Sequence, residues 1–188
     1  MIKTLMNYWS GLLNRKSVSN RVWDPKYVGY LQRDLQRKFG SFLPIHATNC
    51  LNAHFSYCEI IEAVFRERYP QFKDSAAKIC IGNVRLGVTR KHICDDEAAL
   101  SFAENQSTAT EENYDYHSWV SIEGLIIDPT ILYFLQAKGL WHLRPHVVVA
   151  TSKLTNESGT PMEYEPHKCF TKKQLSLLQQ IPGAGLTQ

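Results

Sequence analysis

The stretch YDYHSWVSIEGLIIDPT, Tyr114–Thr130, contains two short apolar runs on either side of Glu123 and Gly124. Apolar residues that alternate with a period of two predict β-strands, and a two-residue break between them predicts a tight hairpin. With that turn, His117 and Asp128 are diagonal neighbours on one face, roughly 7 to 8 Å apart at the backbone. An imidazole and a carboxylate at this spacing can share a hydrogen bond, whereas an odd-length loop would place them on opposite faces.

The other face of the hairpin is mainly apolar and needs a cover. Its side chains would be Ser118, Val120, Ile122, Leu125 and Ile127, since Ile122 pairs with Leu125 across the turn. Trp119 lies on the face of His117 and also needs packing. We therefore expect both faces to be covered, one of them by the helix that begins at Cys50.

Two helices are predicted before the strands. Asp24 and Pro25 are an N-cap and a first helical residue, and this helix would run to about Phe39 and end at Gly40. A longer and more apolar helix would run from Cys50 to about Tyr69, with Thr48 or Asn49 as its cap and Pro70 after its end. The opening segment MIKTLMNYWSGLLNRKS, residues 1–17, is expected to be an amphipathic helix that packs on the domain.

Strands dominate the remainder. The first predicted strand is KICIGNVRLGVT (78–89), with bulges or close approaches at its glycines, and a second is RPHVVVATS (144–152). A short helix is predicted in TILYFLQAKG (130–139). A last helix, through Gln180, follows a Thr171–Gln174 capping box. Helices followed by mostly antiparallel strands indicate an α+β fold. We predict one domain over residues 1–188, with N-terminal helices in 1–45, a catalytic core in 46–152, and a C-terminal helix with a mobile tail in 153–188.

Composition limits the function classes. The chain has 188 residues and a formal charge of +3, which is too small and dispersed to predict nucleic-acid binding. Charges interrupt every apolar run, so no membrane span is predicted. Five cysteines at irregular spacing favour reduced thiols in the cytoplasm over a disulfide framework, and secretion by a non-classical route stays open. No cofactor motif is present.

Cys50 has the sequence context of a nucleophile. A thiol becomes a thiolate near neutral pH at a helix N-terminus and beside an imidazole, which His117 would supply while Asp128 orients the ring. The Cys50 backbone N–H is a natural donor to an oxyanion. Candidates for a second donor are Asn49, His46 and Trp23, and Trp119 is a candidate wall of the cleft.

Several plainer interpretations stay open. His54, one turn after Cys50, is a rival base, although nothing in the sequence would orient it. His92 and Cys94 could ligate zinc, but no second ligand pair accompanies them, so no metal is predicted. The acidic segment 95–115 is a solvated loop or a lid over the cleft.

Three motifs together resemble a known family. TNC at a helix start (48–50), HSWV (117–120) and DPT (128–130) are similar to the pattern of the transglutaminase-like superfamily, within the papain-like cysteine-peptidase fold. The resemblance implies a Cys50–His117–Asp128 triad, on a nucleophile helix packed against an antiparallel sheet, that cleaves or transfers amides of a peptide or protein through a thioester. Peptidase, deamidase, cross-linking and acyltransferase activities stay open, as does a non-catalytic binding or effector module that keeps the fold.

Overall fold

The fold is built from helices at one end of the sequence and an antiparallel sheet after them. A computed structural model describes residues 23–40, 50–87, 91–94, 117–137, 139–142, 145–151, 153–155 and 161–179. Its elements are α1 (Pro25–Phe39), α2 (Cys50–Arg68), a 3₁₀ turn (Pro70–Phe72), β1 (Lys78–Leu86), β2 (Lys91–His92), β3 (His117–Ile122), β4 (Leu125–Asp128), α3 (Ile131–Ala137), β5 (Val148–Ala150), β6 (Lys153–Thr155), β7 (Pro161–Phe170) and α4 (Lys172–Gln179).

One sheet holds all the described strands. Their order is β5-β4-β3-β1-β7-β6, with β2 paired to β1, and every pair is antiparallel. The α+β class is therefore confirmed. The predicted opening helix and the acidic loop lie outside the described residues.

The predicted boundaries of α1 are confirmed. The Asp24 carboxylate accepts a hydrogen bond from the Lys26 backbone N–H, Pro25 is the first helical residue, and Gly40 follows the helix with φ 45°. A positive φ is favourable for glycine, which has no Cβ to clash with the preceding turn. The capping box before α4 is also confirmed, because Thr171 and Gln174 exchange hydrogen bonds.

The β3–β4 hairpin has the predicted register. Ile122 pairs with Leu125 and Val120 with Ile127, across a two-residue turn in which Glu123 has φ 49° and Gly124 has φ 79°. Two positive φ values define the type I′ turn, whose twist matches that of the strands. This register brings the start of β3 and the end of β4 to the same edge of the sheet.

Each face of the sheet is covered, as expected. On one face α1 and α2 pack against β1 and the apolar side of the hairpin; the core residues there include Leu31, Leu35, Phe39, Leu51, Cys58, Ile61, Phe65, Ile79, Ile81, Val120, Ile122, Leu125 and Ile127. On the other face α3 packs on the sheet in a cluster that includes Cys80, Val84, Trp119, Ile126, Leu132, Leu135, Trp141 and Tyr164. The helix that begins at Cys50 thus lies where the sequence predicts it.

Strand β7 corrects the predicted division of the chain. The predicted core ends at residue 152, yet β7 pairs with β1 along most of its length, from Ile79 opposite Phe170 to Leu86 opposite Met162. Its sequence hides the strand, because prolines and charged residues break the apolar alternation. Pro166 is tolerated because the register shifts there, between Ile81 and Gly82, and a bulge does not need every N–H of the ladder.

The expectation that all five cysteines are reduced thiols is wrong for two of them. Cys80 and Cys169 face each other on β1 and β7 and form a disulfide, while Cys50, Cys58 and Cys94 form none. The pairing could not be predicted because β7 itself was not recognised.

We expect three thiols to react in denaturant without reductant and five after reduction, because one disulfide joins two of the five cysteines. The bond closes a loop with a sequence separation of 89 residues. Replacing both cysteines by alanine should lower the free energy of unfolding by about 2 to 4 kcal/mol, measured by urea unfolding. Reductant should destabilise the wild type and leave the double variant unchanged; five reactive thiols before reduction would contradict the disulfide.

Gly82 lies where β1 approaches β7 most closely. A Cβ on Gly82 would be 2.0 Å from the carbonyl oxygen of Glu165, a backbone atom that cannot rotate away. Gly82→Ala should therefore lower the free energy of unfolding by about 2 kcal/mol or more. Gly29→Ala is the control: outside its own helix, no atom of the described residues lies within 4 Å of the added Cβ, and alanine in a helix should stabilise by about 0.5 to 1 kcal/mol. Equal effects at the two sites would contradict this packing.

Candidate active site

The edge where β3 begins and β4 ends holds a histidine–carboxylate pair. His117 Nε2 lies 2.6 Å from Asp128 Oδ2, and both side chains are completely buried. The tight hairpin makes this contact by setting the two strands in register. The predicted His117–Asp128 contact is confirmed.

The Asp128 carboxylate receives donors on both oxygens. Oδ1 accepts hydrogen bonds from the Thr130 backbone N–H at 2.9 Å, the Thr130 hydroxyl at 3.1 Å and the Ile131 backbone N–H at 2.9 Å. Oδ2 accepts from the Tyr164 hydroxyl at 3.1 Å as well as from His117. Because a buried carboxylate is costly without such donors, this set is what allows Asp128 to be buried as an anion.

His117 is held between aromatic rings. Trp119 stacks on one side with ring centroids 6.3 Å apart, and Phe134 of α3 lies at 5.6 Å. Since Nε2 is bonded to Asp128, only Nδ1 can serve Cys50. Nδ1 is buried and makes no hydrogen bond of normal geometry in the described part of the chain.

Cys50 is the first residue of α2; it takes part in no disulfide, and the residue as a whole is partly buried. Burial raises the pKa of Cys50, but hydrogen bonding to His117, the charge of His117 and a hydrogen bond from the Ser118 backbone lower it, and the net pKa lies below its usual value. Cys58, one turn beyond His54, differs: burial, followed by the charge of Glu62, raises its pKa to about 11. With 1% exposure, Cys58 is a core side chain.

The pKa values of His117 and Asp128 are shifted in opposite directions. Burial lowers the pKa of His117, but the charge of Asp128 and the hydrogen bonds to Asp128 and Cys50 raise it well above its usual value. Burial raises the pKa of Asp128, but the charge and hydrogen bond of His117, and then those of His54, hold it well below its usual range. Both shifts favour an imidazolium between two anions, the thiolate and the carboxylate.

His54 is oriented, contrary to the expectation that nothing would fix its ring. It is completely buried, its Nδ1 lies 2.9 Å from the Ser118 hydroxyl, and its Nε2 lies 3.5 Å from Asp128 Oδ1. The sequence does not show these contacts because Ser118 and Asp128 lie far along the chain. Both ring nitrogens are directed at groups other than Cys50, so His54 is badly placed to be its base.

The four additional candidates have different outcomes. The Trp23 indole N–H donates to the carbonyl of Glu123 at the hairpin turn, about 20 Å along β3 from His117, so Trp23 is wrong as an oxyanion donor. Trp119 is 1% exposed and packs edge-on against Tyr164, which makes it a core side chain behind His117 rather than a cleft wall. Asn49 and His46 lie outside the described residues.

Tyr164 is the member of the site that the sequence analysis missed. It lies on β7 and is buried, and burial together with the charge of Asp128 raises its pKa well above the usual value. It is therefore a neutral phenol that donates to Asp128. Its only sequence signal is the alternation of Met162 and Tyr164 with charged residues in β7, which is too short to predict a strand.

Cys94, which together with His92 is a possible zinc ligand by sequence, has a structural role. Cys94 is buried, and the Asn83 side chain bonds both its backbone N–H and its carbonyl oxygen. Within the described ranges, no group of three or more His, Cys, Asp or Glu side chains is arranged to hold a metal ion. Among the same residues, no helix combines the length and the apolar character that crossing a bilayer requires.

The comparisons with known proteins give no relative. No family model, no curated protein and no solved structure matches this chain. The arrangement of the site must therefore be interpreted from its own chemistry. It can stabilise a thiolate, hold an imidazolium beside it and keep a carboxylate ionised without access to water.

Asp128→Asn should reduce stability in a pH-dependent way. Because the folded-state pKa of Asp128 is lowered, its stabilisation is present above the unfolded value of about 3.9 and is lost as pH falls towards the folded value. We expect a loss of about 3 kcal/mol near neutral pH that shrinks below about pH 4, measured by urea unfolding.

The control is Asp34→Asn, which breaks a partly exposed ion pair with Arg68. It should cost about 0 to 1 kcal/mol. If the difference in free energy of unfolding between wild type and Asp128→Asn stayed constant with pH, Asp128 would not be a buried, ionised carboxylate.

Proposed function

We propose that the protein is a cysteine-dependent hydrolase or acyltransferase that acts on amide bonds of a peptide or protein through a thioester. Cys50 is the nucleophile, His117 the acid and base, and Asp128 the orienting carboxylate. The observation that carries the proposal is the convergence of a reduced Cys50 thiol of lowered pKa, at the start of α2, with a buried His117–Asp128 pair. A transglutaminase-like domain of papain-like fold is the proposed class, since the HSWV and DPT motifs supply two of the three groups.

The reaction would proceed in two stages. The Cys50 thiolate attacks the carbonyl carbon, forming a carbon–sulfur bond and an oxyanion that the Cys50 backbone N–H would stabilise. The tetrahedral species then collapses, the carbon–nitrogen bond breaks, and the His117 proton goes to the leaving amine. Water or a second amine next attacks the thioester, His117 accepts its proton, and the thiolate leaves.

A non-catalytic binding module is the second candidate. The complete burial of His117 and Asp128 favours it, because the same polar network would also fix the end of the hairpin without any reaction. In that case Cys50 would be an ordinary partly buried thiol. The two candidates differ in the reactivity of one sulfur.

The cellular compartment is a separate prediction. Three free thiols fit the cytoplasm, whereas the Cys80–Cys169 disulfide is of the kind that persists in oxidising compartments. Because the two observations oppose each other, the cytoplasmic location stays a prediction, and so does the non-classical secretion route. The triad chemistry needs only that Cys50 is reduced.

Alkylation of Cys50 by iodoacetamide at several pH values, followed by peptide mass spectrometry, tests the proposal. Cys50 should react below about pH 7, where an ordinary thiol is mostly protonated, and at least about tenfold faster than Cys58. His117→Ala should remove this low-pH reactivity, because the imidazolium that stabilises the thiolate is lost.

Controls separate the triad from simple exposure. Cys58→Ala should leave the pH profile of Cys50 alkylation unchanged. Separately, peptide amide or ester substrates should form a thioester adduct, sensitive to hydroxylamine, that Cys50→Ser lacks. A Cys50 that reacts only near the pH of a free thiol, and no faster in wild type than in His117→Ala, would overturn the enzyme and favour the binding module.

A further inference from the structure

A second buried histidine lies against the proposed triad without belonging to it. His54 is on the same face of α2 as Cys50, one turn further along, and its ring centroid is 6.2 Å from that of His117. Its Nε2 has no aligned hydrogen bond in the described part of the chain, and the nearest charged atom recorded for it is Asp128 Oδ1 at 3.5 Å. A buried polar atom directed at a carboxylate requires an explanation.

The hydrogen bonds of His54 determine where its proton lies. An ionised carboxylate only accepts hydrogen bonds, so a lone pair on Nε2 facing Asp128 would be repelled, and Nε2 must carry the hydrogen. In the neutral ring, Nδ1 is then an acceptor, and the single hydrogen of the Ser118 hydroxyl, 2.9 Å away, goes to it, while the Ser118 backbone serves Cys50. Ser118 thus turns the ring so that its N–H faces Asp128.

We propose that His54 is a positioning residue of the triad: oriented by Ser118, it holds Asp128 Oδ1 from the α2 side so that Oδ2 stays on His117. The inference rests on the proposed function. His54 does not touch the reacting atoms; it acts through Asp128 and His117. The charged and titratable groups of this cluster are Cys50 on α2, His117 on β3, Asp128 on β4 and Tyr164 on β7.

His54 complements the other donors to Asp128. Thr130 and Ile131 hold Oδ1 from the residues that follow β4, and Tyr164 holds Oδ2 from β7. His54 alone among these approaches the carboxylate from the helix that carries the nucleophile. It therefore links the position of the helix start to the position of the base.

Variants of His54 separate positioning from packing. In glutamine the side-chain amide nitrogen can occupy the place of Nε2 and donate to Asp128, whereas the shorter asparagine places its amide near Nδ1, next to Ser118. His54→Leu fills the volume and donates to neither. We measure the pH profile of Cys50 alkylation in each variant, with Cys58→Ala as a control for a buried substitution on the same helix.

We expect His54→Leu and His54→Asn to move the pH profile of Cys50 alkylation to higher pH by about half to one unit. At a fixed pH the thiolate fraction would fall about three- to tenfold. His54→Gln should retain most of the wild-type profile. Nitrogen NMR of the Cys50→Ala protein should show His54 with hydrogen on Nε2, and Ser118→Ala should weaken this tautomer preference without abolishing it, because Asp128 remains.

The outcomes distinguish the two hypotheses. If wild-type Cys50 reacts at low pH and His54→Leu leaves its profile unchanged, the role of His54 is overturned and the triad stands. The same conclusion follows if His54→Gln and His54→Asn shift the profile equally. If wild-type Cys50 has no low-pH reactivity, the proposed function fails, and the positioning role fails with it. Loss of thermal stability without a change in profile identifies His54 as a packing residue only.

Discussion

The buried carboxylate of Asp128 is the group on which the site depends. A carboxylate without water is stable only if donors surround it, and here they come from β3, β7 and the start of α3, while His54 of α2 lies 3.5 Å away. Each donor fixes the element that carries it relative to β4. The network is therefore both a structural junction and the proposed source of the electrostatics that Cys50 needs.

The junction also explains why β7 is central. It carries Tyr164 to the carboxylate, and its pairing with β1 is fastened by the Cys80–Cys169 disulfide. Gly82 allows β1 to pass close to β7 at the position where β1 also pairs with His117. A site assembled from α2, β3 and β4 thus depends on a later strand, whose Tyr164 is 36 residues beyond Asp128.

Local patterns predicted the elements well where their signals were strong. Asp24, Pro25 and Gly40 defined α1, and the Glu123–Gly124 break defined a hairpin whose register placed His117 beside Asp128. The signals failed where long-range pairing decides the outcome. Pro166 and the charged residues of β7 resemble a loop until β1 is placed beside them, because strand pairing can override local propensity.

The sequence by itself determined the α+β class, both long helices, the hairpin and the His117–Asp128 contact, since each follows from capping, periodicity or a short turn. Only the tertiary structure decided the orientation of His54, the hydrogen bond from Tyr164, the disulfide and the diversion of Trp23 to the hairpin turn. These contacts join residues far apart in the chain. Their geometry depends on how α2 and β7 pack around the sheet, which no local pattern encodes.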